Sequence, residues 1–209
     1  MRLVLASALA VLSALGNSAF GEQDKTPAIA TAVVAVAQAP TCPAATGVYY
    51  RREAGWKLIE EIHSSGFHTT GVAKATFSYG AAAAKVKAVF REAHSPYQVT
   101  DPATKFCIVG VTQSGRDISI VQMQEEKGRR EMEIASMRMW TGVSSEFKDN
   151  QLLKIQVERL DDKTFLITPS TPIKRGEYIL FTNVPDTRGV LKANGQQALG
   201  GYDFGLHAE

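Results

Sequence analysis

Cysteine is scarce in this chain and is not arranged for chemistry. Only Cys42 and Cys107 occur, far apart, so neither a C-x-x-C redox pair nor a multi-cysteine zinc site can be assembled. An excess of one charge is also missing. There are 23 Lys and Arg against 21 Asp and Glu, a formal charge of +2. A field that weak does not steer toward nucleic acid or anionic lipid, and the Arg129-Arg130 pair is too small for a nucleic-acid patch. No apolar run reaches the roughly 20 residues of a spanning helix, so no transmembrane span is expected in the mature chain.

Catalytic signatures are equally sparse. G-x-S-x-G, G-x-G-x-x-G, Walker A and H-E-x-x-H do not occur. Ser145 and Lys148 match S-x-x-K, but Lys163-Thr164 is followed by Phe165 rather than glycine, and the element expected between them is missing. The four histidines, His63, His68, His94 and His207, follow no metal-ligand spacing. His63 and His68 fall on opposite sides of a strand, and His94-Ser95-Pro96 reads as a turn. Glu125, Glu126, Glu131 and Glu133 alternate with Lys127, Arg129 and Arg130, the pattern of a solvated, cross-paired hairpin tip. The expectation is therefore no catalytic residue, no metal ligand and no cofactor.

What is present begins with a leader. Arg2 precedes an uncharged apolar run, residues 3–15, and Ala19-Phe20-Gly21 offers a small-x-small cleavage site. Residues 1–21 read as a secretory signal peptide, with an uncleaved membrane anchor as the alternative. Its removal takes away Arg2 and no acidic residue, leaving +1. A second apolar run, residues 28–39, would span only about 18 Å as a helix. It either extends the leader, since Ala37-Gln38-Ala39 is another A-x-A site, or serves as an Ala- and Pro-containing tether over residues 22–46. In an oxidising compartment an even cysteine count suggests one bridge, Cys42 to Cys107. The alternative is a buried Cys107 and a free Cys42.

From Gly47 onward the period is two. Val86, Ala88 and Phe90 alternate along KVKAVF. Ile118 and Ile120 oppose Val121 and Met123, and Met132 and Ile134 alternate with Glu131 and Glu133. Leu153, Ile155 and Val157 point to one side. Lys127-Gly128 and Asp161-Asp162 are turn-like joints, residues 185–197 form a polar loop, and only GAAAAKVK, residues 80–87, competes as a helix. Short alternating runs at this spacing predict an all-β fold, an antiparallel β-sandwich or open barrel with at most one short helix, over residues 47–209.

The first hairpin, GVYYRREAGWKLI, pairs Arg51 with Trp56, Tyr50 with Lys57, Tyr49 with Leu58 and Val48 with Ile59. Tyr49, Arg51 and Trp56 then share one face, with Arg51 able to lie over the Trp56 ring. That face is the candidate partner-binding surface; a purely structural hairpin is the alternative.

Four stretches in order, GVYYRREAGW, REAHSPYQV, RGEYILFT and terminal GYDFGL, resemble a recurrent domain of uncharacterised secreted bacterial proteins that read "GVYY…W", "AHSP", "PGEY" and "YDFG". Arg175 stands where that pattern has proline. The resemblance covers residues 47–206, implies a secreted or periplasmic bacterial β-domain and transfers no site. The expected function is protein or envelope binding, or a structural role, with another envelope or secreted protein as partner. A hydrolase acting on envelope polymers and a subunit of an envelope oligomer are the alternatives.

Overall fold

Alternation decides the architecture from the first strand. In β1 (Gly47–Arg52) Val48 and Tyr50 turn to one side and Tyr49 to the other, and all three are buried because both sides are covered. β1 pairs antiparallel with β2 (Gly55–Ile59) in the register read from the sequence, closing through the two residues Glu53 and Ala54. On its other side β1 pairs with β6 (Phe106–Val109), followed by β11 (Thr164–Pro169) and β10 (Ile155–Arg159). The five-stranded sheet therefore runs β10-β11-β6-β1-β2.

The structure, a computed structural model, describes residues 41–207 except 80, 113, 139–141, 145–146 and 184–197. The leader, the tether up to residue 40, the loop at 185–197 and Ser145 of the S-x-x-K match lie outside the described residues. The described residues fall within one compact unit, Pro40–Glu209.

The second sheet is larger and curls into a half-barrel. It comprises β3 (Glu61–His63), β4 (Gly66–Thr70), β5 (Ala84–Phe90), β7 (Ser119–Glu126), β8 (Arg129–Arg138), β12 (Gly176–Phe181) and β13 (Gly200–Leu206), in the order β3-β13-β12-β7-β8-β5-β4, with β9 (Gly142–Ser144) on β8. The curl has a local cause. β7 gives its first half to β12, and only Gln124, Glu125 and Glu126 pair with β8. Where β8 departs, the segment at Leu152 bridges Val121, and Leu153 N–H donates to Ile120 O. The one α-helix among the described residues, α1 (Val72–Phe77), precedes β5. Helix thus ends before residues 80–87, and KVKAVF is strand, because every second residue of β5 is buried. Val157, expected inward, lies on edge strand β10 and is exposed.

Two cores result. Between the sheets, Tyr50, Phe106 and Ile108 meet Ile120, Leu180 and Phe204. Phe204 stacks on Tyr178 at 5.3 Å between ring centroids. Burying a side chain of this size stabilises by about 1.5–3 kcal/mol. Inside the curl, Val86, Phe90, Met123, Met132, Ile134 and Ile179 form the second core. β12 serves both, with Tyr178 and Leu180 facing one and Ile179 and Phe181 the other.

A disulfide joins Cys42 to Cys107, with Cα atoms 5.9 Å apart. Phe106 and Ile108 face the inter-sheet core, so Cys107 points outward from β6 toward the segment that carries Cys42.

Candidate functional site

The curl's apolar face does not stay apolar to its end. In an antiparallel sheet, directly paired residues share a face, and residues two apart return to it. Glu177 pairs with Met123 on one side and Gly205 on the other. Two residues beyond these partners stand Glu125 and His207, on the same face. Arg130 pairs with both Glu125 and Phe90, which puts it there too, and Asp203 precedes Gly205 by two. The strand period thus gathers five polar side chains at one mouth of the half-barrel, and the turn after β5 adds His94 and Ser95.

The centre of this group is fully buried. Glu177 and Asp203 are both 0% exposed and Arg130 is 2%. Arg130 Nη1 donates to Asp203 Oδ2 and, at 3.3 Å, to Glu177 Oε2, and its Nε donates to Glu92 O at 2.8 Å. Ser95 N–H also donates to Glu177 Oε2, at 2.8 Å, while Ser95 Oγ donates to Asp203 O. The Tyr97 N–H, in turn, donates to Ser95 Oγ. These bonds satisfy one carboxylate oxygen of Glu177 and aim the other, Oε1, outward.

Two histidines meet Oε1. His207 Nε2 lies 2.7 Å from it and His94 Nδ1 lies 3.4 Å from it. Glu125 Oε1 stands 3.8 Å from His94 Nδ1 and 4.0 Å from His207 Nε2. The two imidazoles are edge-on to each other, centroids 4.8 Å apart. Gly205 makes room, since a Cβ there would come within 2.5 Å of Glu177 Oε1 and 2.6 Å of Gln98 Nε2. Glu177 and Asp203 share the guanidinium of Arg130, Glu125 stands beside the two histidines, and Asp203 Oδ1 is buried without a partner. The group is therefore rich in acceptors and short of positive charge.

A second charged group, on the opposite face of β8, is balanced. Glu131, 1% exposed, accepts from Lys87 Nζ at 2.9 Å and pairs with Arg129 at 2.7 Å and His68 at 3.7 Å. Burial pushes the Glu131 carboxyl up, but the bond and charge of Lys87, with His68 and Arg129, hold it below the usual carboxylate range. Glu133 behaves alike: burial raises it, and Lys148 and Lys85 bring it down further. Glu131 and Glu133 each have at least two cationic neighbours.

The hairpin residues singled out in the sequence do come together, on the outer face of the five-stranded sheet. Arg51 lies over the Trp56 ring at 5.5 Å. Tyr49 is buried, its hydroxyl donating to Ala45 O at 3.0 Å, and Trp56 Nε1 donates to Thr41 O at 2.8 Å. With Cys42, Cys107 and Val109 they form a small satellite core. The chain's own segment before β1 occupies most of that face, leaving Arg51 exposed at its rim.

Sequence spacing did not bring His94, Glu125, Glu177 and His207 together, because they lie on four separate segments. The available signal was the order of stretches. REAHSPYQV supplies His94 and Ser95, RGEYILFT supplies Glu177, and GYDFGL supplies Asp203 and Gly205. These three stretches converge here. No family model, curated protein or solved structure matches the chain.

Proposed function

We propose that this chain works outside the cytoplasm as an exported β-domain that binds a protein partner of the envelope. The observation that carries the reading is the flank made by β4 and α1. The helix buries none of its residues, which is unusual for an element that owes most of its stability to packing. Phe77 is 84% exposed, Tyr79 83% and Val72 53%. They follow directly on β4, the strand at the end of the larger sheet among the described residues. Exposed aromatic surface next to a strand edge suits capture of an extended segment from another protein. The Cys42–Cys107 bridge and the leader support an oxidising address.

A binding role is favoured over hydrolysis by the state of Ser95, which lies against the buried carboxylate. Glu177 Oε2 is held by Arg130 and Ser95, and Ser95 Oγ is already engaged with Asp203 O. A serine whose hydroxyl is so engaged is not poised as a nucleophile.

The test replaces Val72 and Phe77 together by Ser. Because neither is buried, the thermal midpoint is expected to move by less than about 2 °C, while an envelope protein that cross-links to the wild-type chain is lost. Unchanged cross-linking overturns the surface. Fractionation checks the address: Cys42 and Cys107 should resist alkylation until reduced, and a cytosolic chain with two free thiols overturns export.

A further inference from the structure

We infer that His94, Glu125, Glu177 and His207 form a binding site for one divalent zinc-class ion. Four donor atoms, His94 Nδ1, His207 Nε2 and one oxygen each from Glu125 and Glu177, lie within 4.8 Å of one another. A zinc ion held tetrahedrally at 2.0–2.1 Å sets its donors about 3.3–3.4 Å apart. The four nitrogen–oxygen separations, 2.7, 3.4, 3.8 and 4.0 Å, straddle that value. Binding would draw the exposed His94 and Glu125 inward, closing the widest donor separation by about 1.4 Å, and would open the His207–Glu177 separation by about 0.7 Å.

Three features mark a built site rather than a chance meeting of surface groups. Glu177 is fully buried and pinned through its far oxygen by Ser95 N–H and Arg130, which orients the near oxygen as a ligand, as outer-shell partners do at metal sites. Gly205 leaves the space in which that oxygen sits. Glu177 and Asp203 share the guanidinium of Arg130 and Glu125 adds a third carboxylate beside the histidines, a formal excess of two negative charges that a divalent cation would neutralise. The donor set chooses the ion. Two imidazoles with two carboxylates suit zinc and its neighbours, whereas calcium and magnesium prefer six or more oxygens. With all four donors engaged the shell is closed, as in structural sites. The ion would clamp the turn after β5, the end of β7, the start of β12 and the segment after β13.

This inference is independent of the partner reading, because the clamp and the β4–α1 flank share no residue. The test uses the full chain without a histidine tag, stripped with chelator. Titration with zinc chloride alone is expected to give one ion per chain. Cobalt in its place should give the intense visible bands of a tetrahedral ion. Zinc at a hundredfold excess over its dissociation constant should raise the thermal midpoint by about 5–10 °C. The double variant His94→Ala/His207→Ala should lose at least a hundredfold in affinity and all of that rise, and Glu125→Gln, on a half-exposed side chain, should keep the fold and weaken binding. Circular dichroism of the metal-free proteins checks that the variants fold. Absence of stoichiometric zinc in wild type, equal affinity in the folded double variant, an octahedral cobalt spectrum, or displacement of zinc by equimolar calcium each overturns the proposal.

Discussion

Gly205 shows how much one missing Cβ can carry. It pairs with Glu177 across β13 and β12, and an alanine there would press on both the pinned carboxylate and Gln98. Neither neighbour has a free direction in which to retreat, since Gln98 is itself bonded to Ser95 O and bridges Gly205. Gly205→Ala is therefore expected to cost about 1–3 kcal/mol. Urea unfolding measures this, and an unchanged midpoint would mean that the carboxylate swings aside. The glycine was visible in the sequence as part of GYDFGL, but its reason was not. Only pairing with Glu177 reveals what lies over it, and residues 177 and 205 carry no mutual signal along the chain. The opposite holds for Val48, Tyr50, Arg51 and Trp56, whose register follows from a short turn and a period of two.

At the scale of elements, β8 divides two kinds of charge. Its core-side residues lead to the acceptor-rich mouth, and its outer side carries Glu131 and Glu133 among cations. The alternation of Met132 and Ile134 with the glutamates was legible. The burial of Glu131 was not, because sequence gives the face of a residue but not the depth of its neighbours. This balanced face sets a pH dependence. The Glu131 pKa is depressed from 4.5, so its contribution is present above that value and is lost as pH falls through the folded pKa. The Lys87 pKa is raised from 10.5 because its bonds and charges with Glu131 and Glu126 outweigh burial, so its contribution is present below that value and lost as pH rises through the folded pKa. Stability should therefore be level near neutrality and fall toward both ends. Glu131→Gln should cost about 1–3 kcal/mol at pH 7 and flatten the acid limb, as read from urea midpoints between pH 3 and 7. An acid limb as steep as in wild type would place the titrating group elsewhere. Leu153 and Ile155 pack against the inter-sheet core as the alternation predicts, but Val157 does not, because an apolar alternation does not say how far a second layer reaches along an edge strand.

For the whole molecule, the sandwich of two antiparallel sheets was foreseeable from many short alternating strands, whereas the curl of the larger one was not. It depends on β7 giving half its length to β12 and only three residues to β8, a division that no local pattern announces. The single covalent cross-link closes a separation of 65 residues. On the chain-entropy model it stabilises by about 4 kcal/mol. Replacing Cys42 and Cys107 together by Ser should lower the thermal midpoint by roughly 8–16 °C, measured calorimetrically, and a midpoint within 2 °C of wild type would show that the unfolded chain gains little freedom.

That cross-link also has a mechanical consequence. Tension on any backbone ahead of Cys42 passes through the sulfur–sulfur bond into β6, a strand flanked on both sides by β1 and β11. It cannot unzip β1 from its neighbours one hydrogen bond at a time. A load from that side is instead shared with a strand hydrogen-bonded on both edges, so the first strand does not carry it alone.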